Sequence, residues 1–159
     1  MSEHRATIRW ELSGNGFLKG QYSREHLWTF DGGLSVPASP SPSVVRAPYS
    51  NAAHVDPEEA FVASIASCHM LTFLYVAAKE RIEVTHYEDE AVGVMTKNAD
   101  GVPWVSAVSL RPLIRYGQNP PDPDQEQRLH ERAHHSCFIA NSVKTQIVVE
   151  QRRDAAEHA

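Results

Sequence analysis

The chain has 159 residues, which is enough for one domain with a buried core. Hydrophobic residues make up 42% and charged residues 22%, which is typical of a globular protein and excludes an intrinsically disordered chain. The formal net charge of −5 argues against a nucleic-acid-binding surface, because phosphate binding needs a basic patch. We therefore expect no nucleic-acid partner.

The first third of the chain indicates strands joined by turns. Apolar residues alternate with polar ones from Ala6 to Leu12, which predicts a half-buried strand. A strand, tight turn and strand are predicted over residues 27–36, where Asp-Gly-Gly supplies the turn. Residues 37–50 are rich in proline and serine, so we expect an extended surface loop there.

A long helix is predicted from Asp56 to about Arg81. Asp56 can cap its N-terminus, Pro57 suits the first helical position, and Glu59 lies at the spacing of a capping box. Residues 61–78 contain no charged side chain, a run close to the length of a membrane span. They also contain serine, cysteine, histidine and threonine, so we predict a buried core helix and no membrane partner.

The remaining elements are two strands, a second helix and a final strand. Asp122-Pro123 and Gln125 give the second helix the same start signals as the first. The predicted bounds, in chain order, are residues 82–96, 104–116, 122–135 and 145–149.

This order of elements predicts a two-layer α+β fold, an antiparallel sheet with a long buried central helix and a second helix. A single sheet covers only one side of the central helix, so the second helix or a second copy of the chain must cover the other. We therefore predict a homodimer. Residues 1–150 are predicted to form a single domain and residues 151–159 a polar tail.

The two cysteines lie at positions that suit different roles: Cys68 is in the middle of the long helix, and Cys137 follows the second helix. Residues 1–10 carry charges and no apolar run, so we expect no signal peptide and a cytoplasmic location, where stable disulfides are rare. Three interpretations remain open: inert buried thiols, metal ligands, or a redox pair. A thiol on a rigid helix and another at a helix end suit attacking and resolving roles in peroxide reduction.

A zinc site would use Cys68, His134, His135 and Cys137, but adjacent histidines on a helix point in different directions, which makes the metal interpretation weak. His69 points about 100° away from Cys68 on a helix, so a core or interface histidine with one satisfied nitrogen is favoured over a catalytic base. Peroxide chemistry would also need a cation beside the thiol.

Three segments together resemble the OsmC/Ohr family, the osmotically inducible and organic hydroperoxide resistance proteins. They are residues 56–69 (DPEEAFVASIASCH), residues 22–30 (YSREHLWTF) and residues 133–137 (AHHSC). The resemblance covers about residues 5–150 and is closer to the OsmC-like branches than to the Ohr branch, where proline commonly stands in place of Phe138.

The resemblance implies a thiol-dependent peroxidase that reduces organic hydroperoxides, and hydrogen peroxide as a second candidate, in defence against peroxide stress. It implies that Cys68 attacks the peroxide and that Cys137 resolves the product as a disulfide. It further implies an intertwined homodimer with active sites at the interface, no bound cofactor, and an external dithiol or lipoyl-type reductant.

The resemblance also implies an arginine–glutamate ion pair at the thiolate. Glu58 matches the glutamate and Arg24 the arginine, although Arg9 and Arg46 are alternatives. Ten residues of straight helix between Glu58 and Cys68 correspond to ~15 Å of rise, so the glutamate would come from a partner chain unless the helix bends sharply. The alternative role for Glu58 is to complement the helix dipole.

A non-enzymatic protein that binds an apolar ligand at the dimer interface is the alternative function. Six aromatic residues could line such a pocket, although each is individually more typical of a core: Trp10, Trp28, Phe30, Phe73, Tyr75 and Phe138.

Overall fold

The computed structural model describes residues 1–152, which form an α+β fold with eight strands and two helices. The predicted polar tail lies outside the described residues from position 153 onward. The chain divides into two compact units, residues 1–60 and the residues from Phe61 onward.

The first unit contains a three-stranded antiparallel sheet in the order β1-β2-β3. The strands are β1 (Ala6–Arg9), β2 (His26–Phe30) and β3 (Ser35–Ala38). The predicted strand–turn–strand is confirmed, and Gly33 adopts the positive φ of 87° that its turn requires. The prediction that β1 is half-buried is wrong: all four residues are exposed, because Ile8 borders an open pocket instead of a core.

Helix α1 spans Pro57–Lys79 without interruption. The predicted capping box is confirmed: the amide of Glu59 donates to Asp56 Oδ1 at 2.7 Å, and the amide of Asp56 donates to Glu59 Oε2 at 3.2 Å. The helix ends two residues before the predicted Arg81, which adopts a left-handed φ of 60° and stops the α-helical repeat.

The second unit contains two further sheets. One pairs β4 (Val84–Asp89) with β7 (Pro112–Tyr116) in antiparallel fashion. The other has the order β5-β6-β8, with β5 (Val92–Lys97), β6 (Pro103–Leu110) and β8 (Gln146–Val149). Strands β5 and β6 are antiparallel, whereas β6 and β8 are parallel.

The prediction of one antiparallel sheet is therefore wrong, and the strands predicted near 82–96 and 104–116 each divide in two. Pro112 has no amide hydrogen to continue a ladder, and it begins β7, which pairs in a different sheet from β6. The parallel β6–β8 pair needs a long crossover, and the chain between the two strands supplies it with β7 and α2.

Helix α2 spans Pro123–Ser136 and starts as predicted, since Asp122 Oδ1 accepts the amide of Gln125 at 2.7 Å. Its buried residues are Leu129, His130 and Ala133, which form one face of an otherwise polar helix. Cys137 is the C-terminal cap, in an extended conformation that turns the chain away from the helix axis.

Helix α1 packs on two clusters within the second unit. Ile65 packs with Val108 and Leu110 of β6, and further along the helix Phe73 packs with Leu129 and Ala133 of α2. Cys68 and His69 lie between these clusters, at the middle of the helix.

Only one face of α1 is buried within the single chain: Leu71 and Tyr75 are 61% and 63% exposed. Only 28% of the most apolar 18-residue window of α1 is buried inside the chain. The prediction of an entirely buried helix therefore does not hold within one chain. Among the described residues α1 alone has the length and composition of a membrane span, features that core helices of soluble proteins share.

Candidate active site

The two cysteines meet in the second unit. Both are free thiols, and the side chain of Cys137 hydrogen-bonds to that of Cys68. Cys68 is half-buried, whereas Cys137 is 1% exposed. The contact brings together one partly exposed cysteine and one buried cysteine.

Burial raises the pKa of the Cys137 thiol, and its hydrogen bond to Cys68 raises that pKa further. The raised pKa favours the protonated form of Cys137 in the resting protein. The Ala140 amide donates to Cys137 Sγ at 3.4 Å, a weaker influence in the opposite direction. This arrangement holds a protonated thiol against Cys68, as a resolving cysteine would be held before reaction.

Local structure fixes the backbone around both cysteines. The hydroxyl of Thr72 donates to the carbonyl of Cys68 at 2.8 Å within α1. The side chain of Asn141 donates to the carbonyl of Cys137 at 2.9 Å, in a 3₁₀ turn that follows the helix cap. Cys137 thus sits on a short ordered segment rather than on a long free loop.

A buried histidine pair lies beside the cysteines. His69 and His130 are each 1% exposed, and His69 Nε2 is 3.0 Å from His130 Nδ1. The prediction of a core histidine with one satisfied nitrogen is confirmed for His69. His69 Nδ1 and His130 Nε2, by contrast, have no hydrogen-bond partner within residues 1–152.

Sequence-based prediction gave His130 no role, although the sequence carries two signals for it. His130 shares a helical face with Ala133 and Cys137, at spacings of three and seven residues. Residues 130–134 also read His-Glu-Arg-Ala-His, which matches the HExxH pattern of zinc-dependent proteases.

That pattern does not form a metal site here. His130 is buried against His69, whereas His134 is exposed. Over residues 1–152 no group of three or more histidine, cysteine, aspartate or glutamate side chains could hold a metal ion. The zinc interpretation of Cys68 and Cys137 therefore finds no support in the described part of the chain.

Arg24 borders a pocket of about 510 Å³ in the first unit. Its guanidinium lies over the ring of Tyr22, 3.9 Å from the centroid, and donates to the Tyr22 carbonyl at 2.9 Å. The other lining residues are mostly apolar or aromatic: Ile8, Trp10, Phe17, Tyr22, His26, Pro40 and Pro57. Within residues 1–152 Arg24 has no carboxylate partner, so its positive charge is free to bind an anionic group of a ligand or of another chain.

The alternatives to Arg24 are less suited to a binding site. Arg9 is exposed and lies between Ile8 and Trp10 in the chain, so its side chain points away from the face that lines the pocket. Arg46 is also exposed. Glu58 is half-buried and forms no ion pair within residues 1–152, so the predicted Arg24–Glu58 pair is absent from the first unit.

The six aromatic candidates fall into different environments. Trp10 lines the pocket, and Phe73 is fully buried in the core as the alternative interpretation expected. Tyr75 and Phe138 are 63% and 82% exposed, so neither is a core residue within one chain.

Comparisons with known proteins agree on the family. The family profile described as OsmC-like protein matches residues 50–152. An OsmC-like protein of unknown function from Vibrio cholerae is 49% identical, with a TM-score of 0.92 over 96% of this chain and 100% of that one. No match was found among curated proteins.

More distant structures share the fold. An organic hydroperoxide resistance protein from Elizabethkingia anophelis is 20% identical, with a TM-score of 0.68 over 97% of this chain and 96% of that one. Another from Bacillus subtilis is also 20% identical, with a TM-score of 0.61 over 96% and 98% of the two chains.

The histidine pair predicts a pH-dependent stability. Burial lowers the pKa of His69 to about 4, and the nearby charge of His134 contributes to this lowering. Burial lowers the pKa of His130 to about 3, and the charge of His69 acts in the same direction. The unfolded chain takes up these protons near the ordinary value of 6.5, so the folded state loses stability as pH falls from 6.5 toward 4. The loss is at most about 1.4 kcal/mol per pH unit for each histidine.

Urea unfolding at pH 7 and pH 5, at one protein concentration, measures this loss. A double variant with His69→Phe and His130→Phe is the control, because it removes the two groups and keeps their ring volume. The wild type should lose more free energy of unfolding than the control over this interval. Equal losses would show that the buried pair does not titrate as described.

Proposed function

Because this chain belongs to the OsmC-like family, we propose that it is a thiol-dependent peroxidase that reduces organic hydroperoxides in peroxide defence. The observation that carries the proposal is the hydrogen-bonded contact between Cys68 and Cys137. Two free thiols from distant parts of the chain meet with unequal exposure, which suits an attacking and a resolving cysteine.

In the first step, Cys68 attacks the terminal oxygen of the hydroperoxide as a thiolate. The sulfur–oxygen bond forms as the oxygen–oxygen bond breaks, and the alkoxide leaves with the proton that the thiol gave up. The products are a Cys68 sulfenic acid and an alcohol. Half-exposed Cys68 can be reached by the peroxide, whereas Cys137 cannot.

In the second step, the Cys137 sulfur attacks the sulfenic sulfur of Cys68. The disulfide forms, the sulfur–oxygen bond breaks, and the hydroxyl leaves as water with the Cys137 proton. An external dithiol, of which a lipoyl group is one chemical example, then reduces the disulfide and becomes oxidised itself. No bound cofactor is needed for this cycle.

Arg24 and Glu58 are proposed to complete the site across a homodimer. A cation beside the thiol favours the reactive thiolate, and a carboxylate can hold that cation in place. Ten residues of uninterrupted helix separate Glu58 from Cys68, a rise of ~15 Å, so the ion pair would use Glu58 of the partner subunit. The exposed Leu71 and Tyr75 of α1 supply apolar surface for such a partner.

The remaining expectations are also proposals. We place the protein in the cytoplasm, where reducing conditions would keep both thiols free until a peroxide reacts. Residues 1–150 are proposed to act as one domain, with no nucleic-acid or membrane partner.

A protein that binds an apolar ligand without catalysis is the second candidate. The observation in its favour is the apolar pocket beside Arg24, whose volume of about 510 Å³ would hold a small organic molecule. A peroxidase also binds the organic part of its substrate, so binding alone does not separate the two functions.

A count of free thiols separates them. Purified, reduced protein is expected to lose both thiols after one equivalent of cumene hydroperoxide, because the sulfenic acid condenses with the second cysteine. Cys137→Ser should stop at a sulfenic acid, and Cys68→Ser should keep its remaining thiol. If both wild-type thiols survive excess peroxide, the peroxidase proposal fails and ligand binding takes its place.

Mixed dimers test the assembly of the site from two chains. Arg24→Met and Glu58→Gln should each slow peroxide-dependent thiol loss by about tenfold or more, because the thiolate loses its charge partner. Arg46→Met is the matched control and should react normally, since Arg46 is exposed and outside the proposed site.

In a mixed dimer of Glu58→Gln and Cys68→Ser chains, co-expressed and purified with two tags, the remaining Cys68 faces an intact Glu58 from its partner. The rate per Cys68 should return to the wild-type value. A rate as slow as that of the Glu58→Gln dimer would show that the glutamate acts within its own chain.

A further inference from the structure

The hydrogen bond between His69 and His130 has a well-defined geometry. The two ring planes differ by 7° and the ring centroids are 5.3 Å apart, while the bonded nitrogens are 3.0 Å apart. The distance between the centroids equals the distance between the bonded nitrogens plus, in each ring, the distance from the centroid to its nitrogen. The two centroids and the two nitrogens therefore lie nearly on one line. The rings therefore lie side by side in one plane, joined by a nearly linear hydrogen bond, rather than face to face.

The pair is polar, buried and incompletely satisfied. One ring donates and the other accepts, so whichever tautomers are present, one outer nitrogen carries a hydrogen and the other a lone pair. Neither outer nitrogen has a partner within residues 1–152. Two apolar residues would fill the same space without this cost, so stability alone does not account for the pair.

The position of the pair links it to the cysteines. Cys68 and His69 are consecutive on α1, and they contact Cys137 and His130 respectively. His130 and Cys137 are seven residues apart, about two helical turns. The two contacts therefore fix α2 on α1 at two separate points along its length.

The other contacts between the helices constrain this register less. Arg132 of α2 pairs with Glu80, directly after α1, but both side chains reach solvent, and exposed ion pairs contribute little. Leu129 and Ala133 are buried in the cluster around Phe73, but apolar contacts are not directional and tolerate small shifts. A linear hydrogen bond between two planar rings does not tolerate such shifts. Buried polar contacts fix register in this way in coiled coils, at a cost in stability.

We propose that the His69–His130 hydrogen bond positions Cys137 against Cys68 for disulfide closure. His69 and His130 are positioning residues that touch no reacting atom in this step. The inference rests on the proposed function for the source of the sulfenic acid. In closure the Cys137 sulfur is oxidised, the Cys68 sulfur is reduced, and oxygen leaves as water, so the rate depends on the alignment of two sulfur atoms.

The central test separates peroxide attack from closure in His130→Phe, which keeps the ring and removes the bond. Attack is followed as formation of the Cys68 sulfenic acid, and closure as loss of that acid to the disulfide. We expect closure to slow by about tenfold or more, the equivalent of one lost hydrogen bond, with attack unchanged. Leu129→Ala, which loosens the same helix contact and keeps the bond, should close like the wild type.

Conservative replacements keep the test informative if His130→Phe folds poorly. The bonded atom of His130 is Nδ1, whose position an asparagine amide can occupy, whereas a glutamine amide lies one bond further out. His130→Asn should therefore close faster than His130→Gln. For His69, bonded through Nε2, the order should reverse, with Gln faster than Asn.

A second readout needs no peroxide. The equilibrium between dithiol and disulfide in a glutathione buffer reports how well the two sulfurs are aligned. We expect His130→Phe to shift this equilibrium toward the dithiol by about tenfold and His130→Asn to restore it.

This shift supports the inference even if the wild type proves inert to peroxide, in which case the proposed function alone fails. Unchanged closure and equilibrium in His130→Phe would overturn the inference. It is also overturned if Leu129→Ala slows closure as much as His130→Phe does.

Discussion

The packing of α2 on the C-terminal half of α1 is the constraint on which the proposed chemistry depends. Helix α2 is polar and buries only Leu129, His130 and Ala133, so it offers little apolar area to hold it in place. Its contact with α1 nevertheless brings Cys137 to Cys68. Because the apolar face of α2 is small, a directional polar contact such as the His69–His130 hydrogen bond contributes more to the position of the helix.

The parts of the structure that could be predicted from sequence are those decided within a few residues. Asp56 and Asp122 each accept an amide hydrogen from three residues further along, and both helix starts were predicted from that spacing. The predicted end of α2 at His135 lies one residue before the observed end at Ser136. Such hydrogen bonds need no knowledge of the rest of the fold.

Long-range partners could not be predicted in the same way. The parallel pairing of β6 with β8 depends on the path of the chain through β7 and α2, which alternation of side chains does not encode. The hydrogen-bond partner of His69 lies 61 residues away in the sequence, and no local pattern around either histidine predicts their contact. Arg24 and Glu58 were assigned by family resemblance, and their interaction would need a second chain.

Both units leave apolar surface exposed that the sequence pattern had assigned to a core. Ile8 is 59% exposed on β1, and Leu71 is 61% exposed on α1. Apolar periodicity shows that a face will be covered but not which molecule covers it. A ligand beside Arg24 and a second copy of the chain against α1 would each account for one of these faces.

A non-reducing peptide map of the protein after one equivalent of cumene hydroperoxide tests the central claim most directly. We expect one cross-linked species that joins the peptides containing Cys68 and Cys137 of the same chain and that disappears on reduction. Recovery of both cysteines unmodified, or of a cross-link between two copies of Cys68, would contradict it.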